Sequence, residues 1–181
     1  MLPKLEDYNT FKLPLPSTQQ AIISHHSFST QANMIYVIRT VLELEYKYST
    51  VWNLMFSTYI HGHSYLLLLD TFKSTTGPYL MVLKTPTCVH GVYFEESLEV
   101  KLHPYGLRKK FIFTINDGNI QVHDLDLVHD QIVCLEDYFS FGYTKTGYKL
   151  MIDKTLMKGQ SYLEENGDFS IEYLELYRIV D

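Results

Sequence analysis

Cysteine is scarce: Cys88 and Cys134 are the two thiols in 181 residues, and each sits among apolar neighbours. Two thiols build no disulfide framework, and such surroundings suit buried, inert cysteine. Long apolar runs are missing as well. Tyr65-Leu66-Leu67-Leu68-Leu69 stops at Asp70, whereas a membrane-spanning helix needs about 20 apolar residues. The start, Met1-Leu2-Pro3-Lys4-Leu5-Glu6-Asp7, has neither a basic opening nor an apolar stretch, so no secretory signal is expected. Reduced thiols and the missing signal together predict a cytosolic protein. Basic charge is also short, with 15 Lys and Arg against 21 Asp and Glu and a net charge of −6. That balance argues against a nucleic-acid partner. The one basic cluster, Lys101, Arg108, Lys109 and Lys110, is too small to carry such a function and reads as a solvated loop.

What is present is a globular composition, 46% hydrophobic and 20% charged, in a length that suits one domain. Residues 1–28 hold three of the six prolines and no steady apolar period, so they read as an irregular arm, with the domain proper at 29–181. Helical spacing follows at Met34, Val37, Ile38, Val41 and Leu42. A second helix is expected at about 63–73, entered through Gly62 and capped by Ser64. Elsewhere the pattern is strand and turn: Val51–Phe56, Tyr79–Leu83, Val89–Phe94, Phe111–Ile115, Tyr138–Tyr143, Tyr148–Ile152 and Phe169–Ile179. Asn116-Asp117-Gly118-Asn119 between Phe111–Ile115 and Ile120–His123 predicts a hairpin over 111–123. In Phe169–Ile179 the apolar parity changes after Tyr173, so a bulge or bend is expected there. Many short strands joined by Gly and Asx turns predict a mainly β protein, an antiparallel two-layer sheet with helices at its edges or an open end.

A series of segments then resembles one family. Phe56-Ser57-Thr58-Tyr59-Ile60-His61-Gly62-His63-Ser64 is similar to the opening signature of the TLDc domain. Gly77-Pro78-Tyr79-Leu80-Met81-Val82-Leu83-Lys84, His90-Gly91-Val92-Tyr93 and Phe111-Ile112-Phe113-Thr114 resemble its successive strands. Phe141-Gly142, Tyr148–Asp153, Leu156, Gly159, Ser161 and Phe169–Tyr177 follow in the family's order. The resemblance runs from about 33 to 181. Departures are His90 in place of an aromatic Phe, Tyr177-Arg178 in place of Trp-Gly, and a short loop between Ser161 and Phe169.

The resemblance implies a two-layer antiparallel β-sandwich of the TLDc type with flanking helices. It also implies a non-enzymatic eukaryotic protein tied to oxidation resistance, without a cofactor or metal. The expected partner is the vacuolar-type proton ATPase, bound from the cytosolic side with modulation of its assembly or activity. The chain would then be cytoplasmic and peripheral to vacuolar or endomembranes, without inserting in them. The family-motif positions carried over are His61, Gly62, Ser64, Gly77, Pro78, Gly91, Gly142, Asp153, Gly159, Ser161 and Glu175. Two alternatives stand beside this reading: a small antioxidant or hydrolytic enzyme, and a scaffold for trafficking or nuclear proteins.

Single residues admit sharper readings. His61 and Ser64 with Asp153 or Glu175 have the types of a nucleophilic triad, which needs the base within hydrogen-bond reach of the hydroxyl. Helix capping explains Ser64 more simply. His61, His63, His25 and His26 are candidate metal ligands, though no Cys or acid stands at zinc spacing, and turn or surface positions suit them better. Glu175, between Leu174 and Leu176, points opposite to both. If buried it needs donors, as an anchor for backbone N–H groups or a Tyr hydroxyl of a neighbouring loop, or as a functional acid. The cysteines have no thiolate-stabilising neighbour, and Glu136 would raise the pKa of Cys134.

Overall fold

The computed structural model describes residues 51–116, 119–126, 129, 131–163 and 167–180. The expected arm at 1–28, its boundary with the domain, and the helix at 34–42 lie outside the described residues. The described chain runs β1 (Val51–Ser57), α1 (Thr58–His61), α2 (Tyr65–Thr71), β2 (Tyr79–Lys84), β3 (Val89–Phe94), β4 (Lys110–Asn116) and β5 (Asn119–Asp124). It continues through β6 (Gln131–Cys134), β7 (Tyr138–Tyr143), β8 (Leu150–Asp153), β9 (Lys158–Ser161), β10 (Asp168–Ser170) and β11 (Tyr173–Val180). The strands form a six-stranded sheet in the order β1-β11-β2-β3-β4-β5 and a five-stranded sheet in the order β10-β9-β8-β7-β6, every pairing antiparallel. The architecture is the expected β-sandwich.

Side-chain parity explains why the two sheets stack. Met81, Val92, Phe94, Ile112, Leu174 and Leu176 of the larger sheet meet Ile132, Phe139, Phe141, Leu150 and Ile152 of the smaller one in a single apolar cluster. Phe94 and Phe141 make the bridge directly, with ring centroids 5.0 Å apart. Residues of the opposite parity, including Leu80, Val82, Tyr93, Phe113 and Tyr177, form a second buried cluster on the far face of the six-stranded sheet. β2 and β3 are therefore buried on both faces, and their sequences read as unbroken apolar runs rather than alternations.

Helix α2 lies across one side of the sandwich and ties the sheets together. Tyr65 stacks on Phe139 and donates its hydroxyl to the Leu135 carbonyl at 2.7 Å. Phe72, at the other end of the helix, meets the Tyr79 ring edge-on at 4.9 Å.

The expected hairpin is present, with Asn116 paired to Asn119 across a two-residue turn, whose residues 117 and 118 are outside the described set. The stretch Phe169–Ile179 does not form one bent strand. It divides into β10 and β11, which belong to different sheets. Ile171 N donates to the carbonyl of Met157, just ahead of β9, and Glu172 N to that of Lys84 in β2, each at 2.8 Å, so successive residues turn toward opposite layers. The parity change has this cause: Phe169 and Ile171 face the core from one sheet, Leu174 and Leu176 from the other.

Gly91 shows how tightly the far face of the larger sheet is packed, since it is paired in register with Phe113 and Val82 of that cluster. A Cβ there would lie 1.9 Å from Phe113 Cζ, and Phe113 is fully buried. Gly91→Ala is expected to lower unfolding free energy by about 1–3 kcal/mol through overpacking, read as a lower urea midpoint with unchanged slope.

Candidate functional site

The signature 56–64 is a set of backbone connections. Ser57 caps α1, its hydroxyl accepting from Tyr59 N at 3.3 Å. Thr58 Oγ1 accepts from Leu174 N at 3.0 Å and faces the Leu174 carbonyl at 3.5 Å, so a short helix is fastened to β11 in the interior. His61 Nδ1 accepts from Ser57 N at 3.0 Å, and its ring stacks on Phe56. Gly62 stands at φ 72°, ψ −173° with open space around a would-be Cβ. Conformation, not crowding, demands glycine there. Ser64 then caps α2, accepting from Leu67 N at 3.3 Å.

The later motif positions behave alike. The Gly77–Pro78 peptide is cis, and a Cβ on Gly77 would meet the Glu95 carbonyl and the Tyr79 ring at 2.9 Å. Gly142 has φ 69° and lies under Lys149, while Gly159 leaves room for the Phe169 ring. Asp153 Oδ1 accepts from Thr155 N and Thr155 Oγ1, holding the turn that sends buried Leu156 into the core. Ser161 Oγ donates to the Lys149 carbonyl and accepts from Leu163 N, both at 3.1 Å.

The structure does not assemble a triad. His61 and Ser64 are exposed and each is engaged with backbone. Asp153 and Glu175 lie on opposite exteriors of the sandwich. Asp153 shares its parity with Met151, opposite to core-facing Leu150 and Ile152. Glu175 is paired in register with Val82 of the far-face cluster. Glu175 is 2% exposed and accepts from the Tyr177 hydroxyl at 2.7 Å. That donor lies two residues along the same strand, not on a neighbouring loop. Among the described residues no group of three or more His, Cys, Asp or Glu is placed to hold a metal ion; His25 and His26 lie outside them. The basic cluster is not one solvated loop either. Lys110 is 2% exposed with Nζ donating to the Gly106 carbonyl, and Lys101 pairs with Glu99 at 3.0 Å.

The thiols are buried. Burial pushes Cys134 above its ordinary pKa, Tyr65 hydrogen bonding opposes this, and Glu99 rather than Glu136 adds to it. Cys88 has a neighbour that the sequence reading passed over: Sγ is 3.3 Å from His90 Nε2 and from Thr85 Oγ1. The spacing i, i+2 at the entry to a strand was the available signal. His90 is fully buried and stacks on Phe169, at 4.8 Å between centroids. It keeps the flat shape of the usual aromatic while adding a polar contact to the thiol.

An open groove of about 760 Å³ runs between α2 and the 98–100 segment, lined by Leu66, Leu67, Leu69, Leu98 and Val100, with Asp70, Lys73 and Glu99 also on its walls. Leu66 is 80% exposed, and Leu102, two residues past Val100, is 98% exposed. Large apolar side chains held in water in this way mark interaction surfaces. Among the described residues no helix is long and apolar enough to cross a membrane.

Comparison with known proteins gives a TLDc domain match over residues 23–180. A 68-residue stretch is 34% identical to the mTOR-associated protein MEAK7 of Danio rerio. That stretch spans 38% of this chain and 15% of the relative, so the likeness reaches a small part of the larger protein.

Two outcomes are expected from these contacts. Thr58→Val, which keeps shape but strands Leu174 N, lowers stability by about 2 kcal/mol, and Ser64→Ala by about 1 kcal/mol, both read by urea denaturation. Burial holds the Tyr65 hydroxyl far above its ordinary value of 10.0, with the Cys134 contact adding, and burial raises Tyr105 in the same direction. A phenol whose folded pKa is raised contributes fully below its unfolded pKa, and that contribution is lost as pH climbs beyond it. Urea midpoints therefore fall as pH rises above about 10, and Tyr65→Phe flattens that slope.

Proposed function

This chain belongs to the TLDc domain family, and on that premise we propose that it is a non-catalytic regulator of the vacuolar-type proton ATPase. It binds the complex from the cytosolic side and modulates assembly or activity, in connection with resistance to oxidative stress. It works in the cytoplasm, peripheral to vacuolar or endomembranes through its partner. The observation that carries the reading is how the motif positions are used. Ser57, Thr58, His61, Gly62, Ser64 and Ser161 are engaged in holding backbone, which favours a scaffold over a reaction centre. The contact surface on this reading is the leucine-lined groove beside α2. Binding there shifts the partner's equilibrium by the difference in affinity between its states, with no chemistry of its own.

The mTOR association of the zebrafish relative, carried in its name, supports a second reading, association with an mTOR-containing complex. Capture from a eukaryotic lysate, with subunits identified by mass spectrometry, separates the two. Recovery of ATPase head or stalk subunits supports the first, and their absence in every nucleotide state overturns it. Leu66→Asp with Val100→Asp, both on the groove wall, is expected to weaken capture about tenfold or more without moving the denaturation midpoint.

A further inference from the structure

Among the described residues the two open sheets have four edge strands, and three of these are protected against further pairing. β1 carries a bulge at Met55, with Leu54 paired to Tyr177 and Phe56 to Leu176. β10 is only three residues long. β6 is closed from outside: Tyr105 and Ile132 exchange backbone hydrogen bonds at 2.9 and 2.6 Å, and Lys101 N donates to the Cys134 carbonyl at 3.0 Å. Among the described residues β5 has none of these devices. It is six residues long, pairs with β4 without a bulge, contains no proline or lysine, and is exposed at Asn119, Gln121, Val122 and Asp124.

The hairpin fixes which backbone groups are free to pair. Asn116 and Asn119 flank a two-residue turn and form its closing hydrogen-bonded pair. Hydrogen-bonded and non-hydrogen-bonded pairs alternate from there, so Asn119, Gln121 and His123 bond to β4. The N–H and C=O groups of Ile120, Val122 and Asp124 therefore point away from the sheet. Side chains follow the same alternation: Ile120 is in register with Ile115, and Val122, 47% exposed, with Phe113. The edge thus continues the apolar far face outward, and acidic Asp124 closes it with Asp126 just beyond.

We propose that β5 is a docking edge that takes an extended strand from a protein partner, added to the six-stranded sheet through backbone pairing. The strand that fits has apolar residues at alternate positions against Ile120 and Val122, and a Lys or Arg beside Asp124. A second copy of this chain is the poorer occupant, because each carries a net charge of −6. The proposal does not rest on which complex the chain regulates.

The test is amide hydrogen exchange on the full chain with a synthetic Lys-Val-Thr-Val-Thr-Val-Lys peptide and its counterpart carrying Glu at both ends. With the basic peptide, the amides of Ile120 and Val122 are expected to slow by about tenfold or more, while Gln121 and His123 do not change. The acidic peptide gives a smaller effect. Val122→Pro removes an outward N–H and no ladder bond, and is expected to abolish the protection with the fold intact. Should that variant unfold, Val122→Lys serves instead, repelling the basic strand while keeping the amide. Unprotected Ile120 and Val122 at millimolar peptide, or protection undiminished in the variants, overturns the proposal. So does sedimentation showing a dimer that Val122→Lys dissolves, which makes the occupant a second copy.

Discussion

Between Phe169 and Leu174 the chain leaves the smaller sheet and enters the larger one, and the stacking of the two layers depends on that passage. Ile171 N bonds to the carbonyl of Met157, just ahead of β9, and Glu172 N to that of Lys84 in β2, so consecutive peptide units tie to the two layers. Ile171 itself is buried at 5% exposure in the shared core. The passage also sets β11 beside Thr58, whose hydroxyl bonds to Leu174 N and so fastens the α1 turn. The motif at 56–64 and the closing strand are therefore one connected device, although they lie far apart in sequence.

The same device explains how the family signature is used. Hydroxyl, imidazole and glycine at 57, 58, 61, 62 and 64 look like reactive chemistry when read as residue types. In the fold they terminate one strand, cap two short helices and turn the chain through a conformation that glycine adopts without strain. Each polar group is occupied by backbone, and the acids that would complete a triad lie on opposite exteriors.

Much of this was legible in the sequence. Asn116–Asn119 marked the hairpin, Gly62 and Ser64 marked the entry to α2, and Tyr138–Tyr143 gave β7 to the residue. Two strands left no signal. β9 reads Lys-Gly-Gln-Ser, and its core-facing residues are Gly159 and Ser161, kept small so that Phe169 can lie over the first of them. β6 offers three apolar residues, Ile132, Val133 and Cys134, too few to show a period. The parity change near Tyr173 was visible, but one sequence does not say that the halves join different sheets. The site was less legible than the fold. The Cys88–His90 contact needed the strand to be known, and the exposure of Leu66 and Leu102 is a property of the surface, which a hydropathy pattern does not separate from the core.

The order of the larger sheet carries a consequence for biosynthesis. β11 lies between β1 and β2, so the strand that joins them is the last of the described elements to leave the ribosome. Until it arrives, two aromatic-rich ribbons have bare flanks facing one another across a missing neighbour. The nascent domain must wait, or be shielded, until β11 has emerged, because contacts this distant in sequence close late.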